Sequence, residues 1–387
     1  MKSKFYLPDY QRGSIVNLMS SIGKAFGWKS KYKELNLLSS KEIKKYKNVV
    51  LIVIDGLGYE YLMEKGKGGF LRENLKGKMT SVFPPTTASA VTSFLTGVAP
   101  QQHDLTGWFI FFKEAGAVCN AFTFSPRGGG KSFVGEKIPI GKFVEEKGFF
   151  SKIKTKCFSV NPEIIRGIDY NKFILKGSAN LYYKNMNGFF KQVKRAVNSK
   201  GEKYVYAYWP FFDEKSHDYG VDSKKAEKHF KKIDKKLKKF AEGVKHSDTL
   251  LIITSDHGFV DTPLNKVIWL EKHPKMKECL TLPLCGEGRV VYCYVHPSKT
   301  RQFENYIKIK FKKYCQLHKS EDLIRKNYFG FFKPSPKLFD RTGDYVLICK
   351  DNYVIKDKIK EKEKLHIGHH GGVSREEMLV PLVVVKA

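Results

Sequence analysis

The sequence predicts an α/β fold: a doubly wound, mostly parallel sheet with helices on both faces and a small inserted α/β subdomain. Three observations carry that prediction. Asn48 to Ile54 (NVVLIVI) is a continuous β-branched run, the mark of a strand buried on both faces of a parallel sheet. Val205 to Trp209 (VYAYW) and Leu250 to Thr254 (LLIIT) repeat this texture, and each of the three runs finishes on or near an acidic residue. Helical patterns lie between the runs, and such alternation argues for parallel pairing.

The elements follow in order. Ile15 to Phe26 reads as an amphipathic helix. The Asn48–Ile54 strand ends in Asp55-Gly56-Leu57-Gly58, so its carboxylate arrives where ligands bind in open α/β sheets. In FPPTTASAVTSFLTG, Phe83 to Gly97, two prolines end one segment and a small-residue helix runs from Thr86 to Leu95. One threonine suffices as N-cap, its oxygen accepting from a free backbone N–H. The second leaves a hydroxyl near the positive end of the helix dipole, where a phosphate would sit. Lys224 to Val244 is a long charged helix with Phe230, Ile233, Leu237 and Phe240 near helical spacing.

From about 263 to 350 the texture changes. Arg289 to Val295 and Tyr345 to Cys349 read as strands around a helix, Arg301 to Tyr314. The expected organisation is a catalytic core begun by residues 1–262, an inserted subdomain at 263–350 and a return to the core at 351–387. The Lys/Glu-rich segment 356–364 reads as a solvated turn or helix, and the terminal LVPLVVV as an edge strand because of its proline.

With 387 residues, 42% of them hydrophobic and 14% aromatic, the chain has ample material for a core and is not of disordered composition. A formal net charge of +31 suggests nucleic acid. Nearly all the basic residues are Lys, however, and they are spread along the whole chain. That distribution favours a solvated surface and steering of small anionic substrates over base-edge readout, which uses Arg. The seven cysteines are odd in number and lack C-x-x-C spacing; the N-terminus MKSKFYLPDYQRGS lacks a signal-peptide apolar run. The longest aliphatic run, VVLIVI, is far short of a membrane span. A reduced, cytoplasmic protein without membrane contact is the expectation.

Acids and imidazoles recur at strand ends and in glycine-rich turns. Asp55 stands in VIDGLG, Asp213 and His217 in FFDEKSHDYG, Asp256 and His257 in TSDHGF, and His369 and His370 in IGHHGGVS. Asp213 and His217 are i,i+4 neighbours on one helical face. Singly, each element has a structural explanation as a cap, turn or loop. Together they form a mixed O/N donor set for two divalent ions, zinc or manganese. Such a pair would activate the otherwise weak threonine nucleophile for an in-line phosphoryl displacement.

In this order the motifs resemble those of the alkaline phosphatase superfamily, and most closely its nucleotide pyrophosphatase/phosphodiesterase type. The resemblance spans Asp55 to His370. It implies one ion on Asp55, Asp256 and His257 with the nucleophile, and another on Asp213, His217 and a late histidine. It favours Thr87 as nucleophile, leaving Thr86 as cap, and His370 as the late histidine, with His369 the alternative. His103, in PQQHD, matches a family histidine near the site, but Asp104 replaces the glycine expected after it, and a structural role is equally open.

Two departures stand out. Thr87-Ala88-Ser89-Ala90 replaces the Thr-Phe-Pro-Asn of nucleotide-cleaving members, and Trp108 stands where they carry an Asn that holds a phosphate oxygen. The oxyanion contact is then expected from elsewhere, such as the Thr87 backbone N–H. Arg127 and Lys131, in SPRGGGK, are further substrate-binding candidates, as is Arg289 in CGEGRVV. The expected activity is metal-dependent hydrolysis of phosphodiester or pyrophosphate bonds on a small anionic substrate. The alternatives are a phosphomonoesterase or phosphomutase of the same superfamily, and a nucleic-acid-binding protein with an inert hydrolase core.

Overall fold

The computed structural model describes residues 5–135, 138–359 and 365–387. A seven-stranded sheet runs in the order Leu75–Thr80, Leu379–Lys386, Thr249–Thr254, Asn48–Ile54, Lys203–Trp209, Lys156–Pro162 and Ala179–Tyr183. The last five pair in parallel, while Leu379–Lys386 is antiparallel to both its neighbours.

Alternation explains the layers. Val49, Leu51 and Val53 enter one core with Ile15, Ile22, Val91 and Phe94 from the helices Ile15–Ala25 and Thr87–Thr96. Val50, Ile52 and Ile54 enter the other with Phe189, Val193, Phe230, Ile233 and Leu237 from Met186–Val197 and Lys224–Gly243. Both faces of the strand are therefore dry, which is why its sequence shows no polar alternation. Each fully buried aliphatic side chain contributes about 1.5–3 kcal/mol.

The terminal strand corrects an expectation. Leu379–Lys386 is internal, not an edge. Pro381 is tolerated because Thr249–Thr254 pairs only with Val383–Lys386, while Pro381 lies opposite Lys78 of Leu75–Thr80. The proline therefore sits where the strand has a partner on one side only, a local edge within an internal strand.

A second, antiparallel sheet runs Cys315–Lys319, Tyr345–Cys349, Val290–Cys293, Cys285–Gly286, Phe109–Phe112 and Ala117–Asn120. Two of its strands come from the chain before residue 263, so this sheet is built jointly by the segment 263–350 and Phe109–Asn120. The helix expected over Arg301–Tyr314 is α-helical at Thr300–Tyr306 and continues as a π-helical turn, Ile307–Phe311. Of the Lys/Glu-rich stretch, Lys356 ends the strand Val354–Lys356, and residues 360–364 lie outside the described residues. No helix among the described residues is long and apolar enough to cross a membrane.

Arg289 is locked between the sheets. Its guanidinium binds Glu377 through Nε (2.9 Å) and Nη2 (2.6 Å) and the Tyr353 carbonyl (2.7 Å), all of it buried. Its charge is committed inside the fold and leaves it no reach to a substrate. Arg289→Ala would strand the Glu377 carboxylate, with an expected loss of about 3–5 kcal/mol. Urea unfolding checks this, and Glu377→Ala in the same chain should recover part of the loss.

Candidate metal centre and active site

The three parallel strands at the middle of the sheet end on one side of the molecule. Asn48–Ile54 delivers Asp55, Thr249–Thr254 delivers Asp256 and His257, and Lys203–Trp209 leads into the helix Phe211–Tyr219, which carries Asp213 and His217. Two glycines let these loops meet. Gly56 holds φ +79°, and a Cβ there would run into the Phe259 ring at 2.5 Å. A Cβ on Gly258 would lie 2.0 Å from the Glu376 carbonyl oxygen and 2.8 Å from Gly58 Cα. The loops are thus in backbone contact, and the Gly56 N–H donates to Asp256 Oδ1 at 3.0 Å.

The late histidines arrive by a tertiary device. Gly368–His369 pairs antiparallel with Val260–Asp261, and the His217 ring donates through Nδ1 to the Gly368 carbonyl at 2.9 Å. His217 Nε2 then lies 3.2 Å from His370 Nε2 and 3.5 Å from Asp213 Oδ1. His257 is held likewise, Nδ1 against the Gly258 carbonyl (3.1 Å), and presents Nε2 to Asp55 Oδ1 (3.3 Å) and Asp256 Oδ2 (3.4 Å). The His257 and His370 rings stack 3.8 Å apart. His369, its Nδ1 against the Ile367 carbonyl at 3.3 Å, lines the cavity over these residues but joins neither group of ligand atoms.

Two groups of potential ligand atoms result: Asp213, His217 and His370, and Asp55, Asp213 and His257. Asp213 Oδ1 falls within reach of both. Asp55 Oδ1, Asp213 Oδ1 and Asp256 Oδ2 are buried without a hydrogen-bond donor. Acceptors left unmade inside a protein are costly. Burial, then the Asp256 and Asp213 charges, raises the Asp55 carboxyl; burial, then Asp256 and Glu287, raises Asp213. Burial and neighbouring imidazoles push His217 down to about 3 and His370 well below its ordinary value. Orphaned carboxylate oxygens, with the His217 and His257 imidazoles whose bonded Nδ1 leaves Nε2 facing inward and His370 Nε2 beside them, are what a divalent cation needs. The donor set fits metal ions.

Thr86 and Thr87 part company here. Thr86 occupies the N-cap position of Thr87–Thr96, but its side chain makes no capping bond, contrary to the sequence expectation. Its hydroxyl donates instead to Glu287 Oε1 at 2.6 Å. The first helical N–H to reach a backbone carbonyl is that of Ala90, on Thr86 (2.9 Å), so the first turn faces outward uncapped. Thr87 Oγ1 lies 3.2 Å from His257 Nε2, inside the cluster.

A cavity of about 510 Å³ opens over the cluster, lined by Thr87, Asp213, His217 and His370 on one side and by Trp108, Arg127, Glu287 and Lys356 on the other. Arg127 is not free to bind substrate: it pairs with Asp357 and with the Leu284 carbonyl and lies over the Phe109 ring. Lys131 is exposed and does not line the cavity. Trp108 stands at the rim, its ring on Phe122 and its backbone N–H given to Glu287 Oε1 at 2.9 Å. His103 is a core residue: its ring holds Ser93 Oγ (3.0 Å) and accepts from the Leu105 N–H (3.2 Å). Asp104, at φ 55°, carries the left-handed turn expected of glycine and pairs with buried Arg341.

Two site residues escaped the sequence reading. Tyr208 donates its hydroxyl to Asp55 Oδ2, and alternates with Trp209 across the strand Lys203–Trp209. Glu287 is pushed up to about 7 by burial, against the bonds from Thr86 and Trp108. Its only sequence signal is an acid between two glycines, Gly286 and Gly288, beside the basic residue that drew attention instead.

Comparison with known proteins decides the family. A family profile described as Type I phosphodiesterase / nucleotide pyrophosphatase matches residues 49–373. The chain belongs to that family. Its members hydrolyse phosphoric ester bonds, and this phosphodiesterase-family chain is a hydrolase of that class. No significant relative was found among curated proteins. Among solved structures it is similar to murine ectonucleotide pyrophosphatase / phosphodiesterase 5, at 19% identity and a TM-score of 0.63, over 86% of this chain and 87% of that one. An inactive form of the murine protein in complex with AMP gives 18% and 0.62, over 86% and 87%. Phosphonoacetate hydrolase from Sinorhizobium meliloti 1021, in complex with phosphonoformate, gives 15% and 0.63, over 88% and 90%. At these identities the likeness is one of fold, and it is the mixed α/β fold with a large, mostly parallel sheet that the sequence predicts.

Proposed function

We propose that this phosphodiesterase-family chain cleaves phosphodiester or pyrophosphate bonds with Thr87 as nucleophile. One observation carries the reading: Thr87 Oγ1 stands 3.2 Å from His257 Nε2, among the ligand atoms and at the uncapped start of a helix. Asp55, Asp256 and His257 would hold one divalent ion, and Asp213, His217 and His370 the other. The mixed O/N donors suit zinc, with manganese as the alternative. When bound, such ions lower the pKa of an alcohol resting on them and offset charge on a departing oxygen.

The chain's own groups do the rest. Thr87 Oγ forms a bond to phosphorus as the ester oxygen opposite it leaves with the bonding pair. The N–H groups of the first turn receive the non-bridging oxygens, a task that Arg127, paired with Asp357, is not free to perform. Water then attacks phosphorus in the threonine ester, which still carries the retained arm, and frees Thr87 and the monoester product. Small anionic substrates fit the cavity, and the excess of Lys steers them toward it.

The test compares bis(p-nitrophenyl) phosphate with p-nitrophenyl phosphate on zinc- and manganese-loaded protein. The diester should be turned over with the higher kcat/KM, and a chelator should abolish it. A monoester preference would favour the phosphatase or mutase alternatives. Metal-independent inertness with salt-sensitive binding of DNA would favour the nucleic-acid reading.

A further inference from the structure

Glu287 faces the nucleophile from the second sheet, and nothing in the hydrolytic scheme uses it. Its Oε1 is pinned by two donors, the Thr86 hydroxyl at 2.6 Å and the Trp108 N–H at 2.9 Å. Those two bonds fix the carboxyl plane. Oε2 takes no hydrogen bond from a described residue, and the side chain, half-buried, lines the cavity over the metal cluster. Thr86 is the residue next to Thr87, so the carboxyl lies beside the point of attack. A carboxylate beside a phosphoryl site repels further negative charge and welcomes a hydrogen-bond donor. Groups of both signs surround it: Asp213 and the Arg127–Asp357 pair share the cavity lining, as does Lys356.

We propose that Glu287 is a specificity-determining residue: its free oxygen accepts a hydrogen bond from a hydroxyl or ammonium group on the alcohol arm of the diester that stays on phosphorus. The favoured substrate class is therefore a phosphodiester whose retained arm carries such a donor near the ester oxygen. An arm bearing a further phosphate is disfavoured by the same oxygen. This rests on the phosphodiesterase reading for the position of phosphorus.

Three probes differ only in that arm: p-nitrophenyl 2-aminoethyl, 2-hydroxyethyl and ethyl phosphate. Their affinities are measured by calorimetry on metal-loaded Thr87→Ala protein, so that binding is read without turnover. The donor-bearing probes should bind about tenfold or more tighter than the ethyl ester, as a bond to a charged group implies. Adding Glu287→Gln, which keeps an acceptor for Thr86 and Trp108, should cut the ratio of aminoethyl to ethyl affinity to near one. Glu287→Ala should do the same for the hydroxyethyl ratio. Ratios that survive both substitutions overturn the proposal, as does a loss that lowers all three probes together, since that marks a structural role. Turnover of the ethyl ester by the unsubstituted protein is recorded separately. If it is absent while the affinity ratios behave as stated, the hydrolytic reading fails and the recognition role stands.

Discussion

Thr87→Ala should lower kcat on bis(p-nitrophenyl) phosphate by at least about 10³-fold, equivalent to roughly 4 kcal/mol of lost transition-state stabilisation. The attacking atom is removed, and no neighbour replaces it. Thr86, the adjacent hydroxyl, is engaged with Glu287 instead of the cluster. Thr86→Ala should therefore cost about tenfold or less, the value of one hydrogen bond. Thr87→Ser keeps a hydroxyl in the same place, now a primary alcohol, and should retain most of the activity. The order of the three variants matters more than any single value. Equal losses in Thr86→Ala and Thr87→Ala would mean that the helix start, rather than the hydroxyl, had been damaged. A burst experiment adds a second readout: the unsubstituted protein should trap p-nitrophenyl phosphate as an ester of Thr87 with release of one nitrophenol, and the alanine variant should not.

The second large effect is expected on metal removal. Three carboxylate oxygens in the cluster are buried with no donor, so the metal-free chain bears their unmet demand. A ligand present at a thousandfold excess over its dissociation constant stabilises the folded state by about 4 kcal/mol. Chelation should lower Tm accordingly, and zinc should restore both Tm and activity. Asp213→Ala should reduce bound metal most, because its Oδ1 lies within reach of both ligand groups. His369→Ala should leave metal content unchanged, since that ring belongs to neither ligand group. Binding should also depend on pH, with a definite sign. The Asp55 and Asp213 carboxyls are raised by burial and then by the nearby Asp256 charge, so protons compete with the ion up to a higher pH than for free carboxylates. Affinity should fall as pH falls, and proton release on binding should be measurable by titration in buffers of differing ionisation enthalpy at about pH 5 and about pH 8. Affinity that rises toward acid would contradict the assigned ligands.

The central architecture was legible because both-face burial leaves a direct mark on composition. Asn48–Ile54 needed only its unbroken apolar run to be recognised, and the strand occupies those same residues. Asp213 and His217 were legible as a pair because helical spacing alone sets them on one face. The acids at strand ends were legible because parallel strands that share a direction end at one rim of the sheet. Sequence pattern misjudged Leu379–Lys386 because a proline excludes a partner on one side of one residue, not along a whole strand. It likewise treated Thr86 as a cap because local preference cannot know that a carboxyl from 201 residues away will claim the hydroxyl.

The amino-acid order by itself determined which residue types were present, at which strand ends, and in what local geometry, since these depend on contacts only a few residues apart. Only the tertiary structure decided which of them meet. It chose Thr87 over Thr86 and His370 over His369 for proximity to the cluster, committed Arg289 to Glu377 and Arg127 to Asp357, and brought Glu287 to the cavity. The physical reason is that each of these choices is a competition for one partner between groups far apart in the chain. The winner is set by packing and burial, and neither quantity is written in any short stretch of sequence.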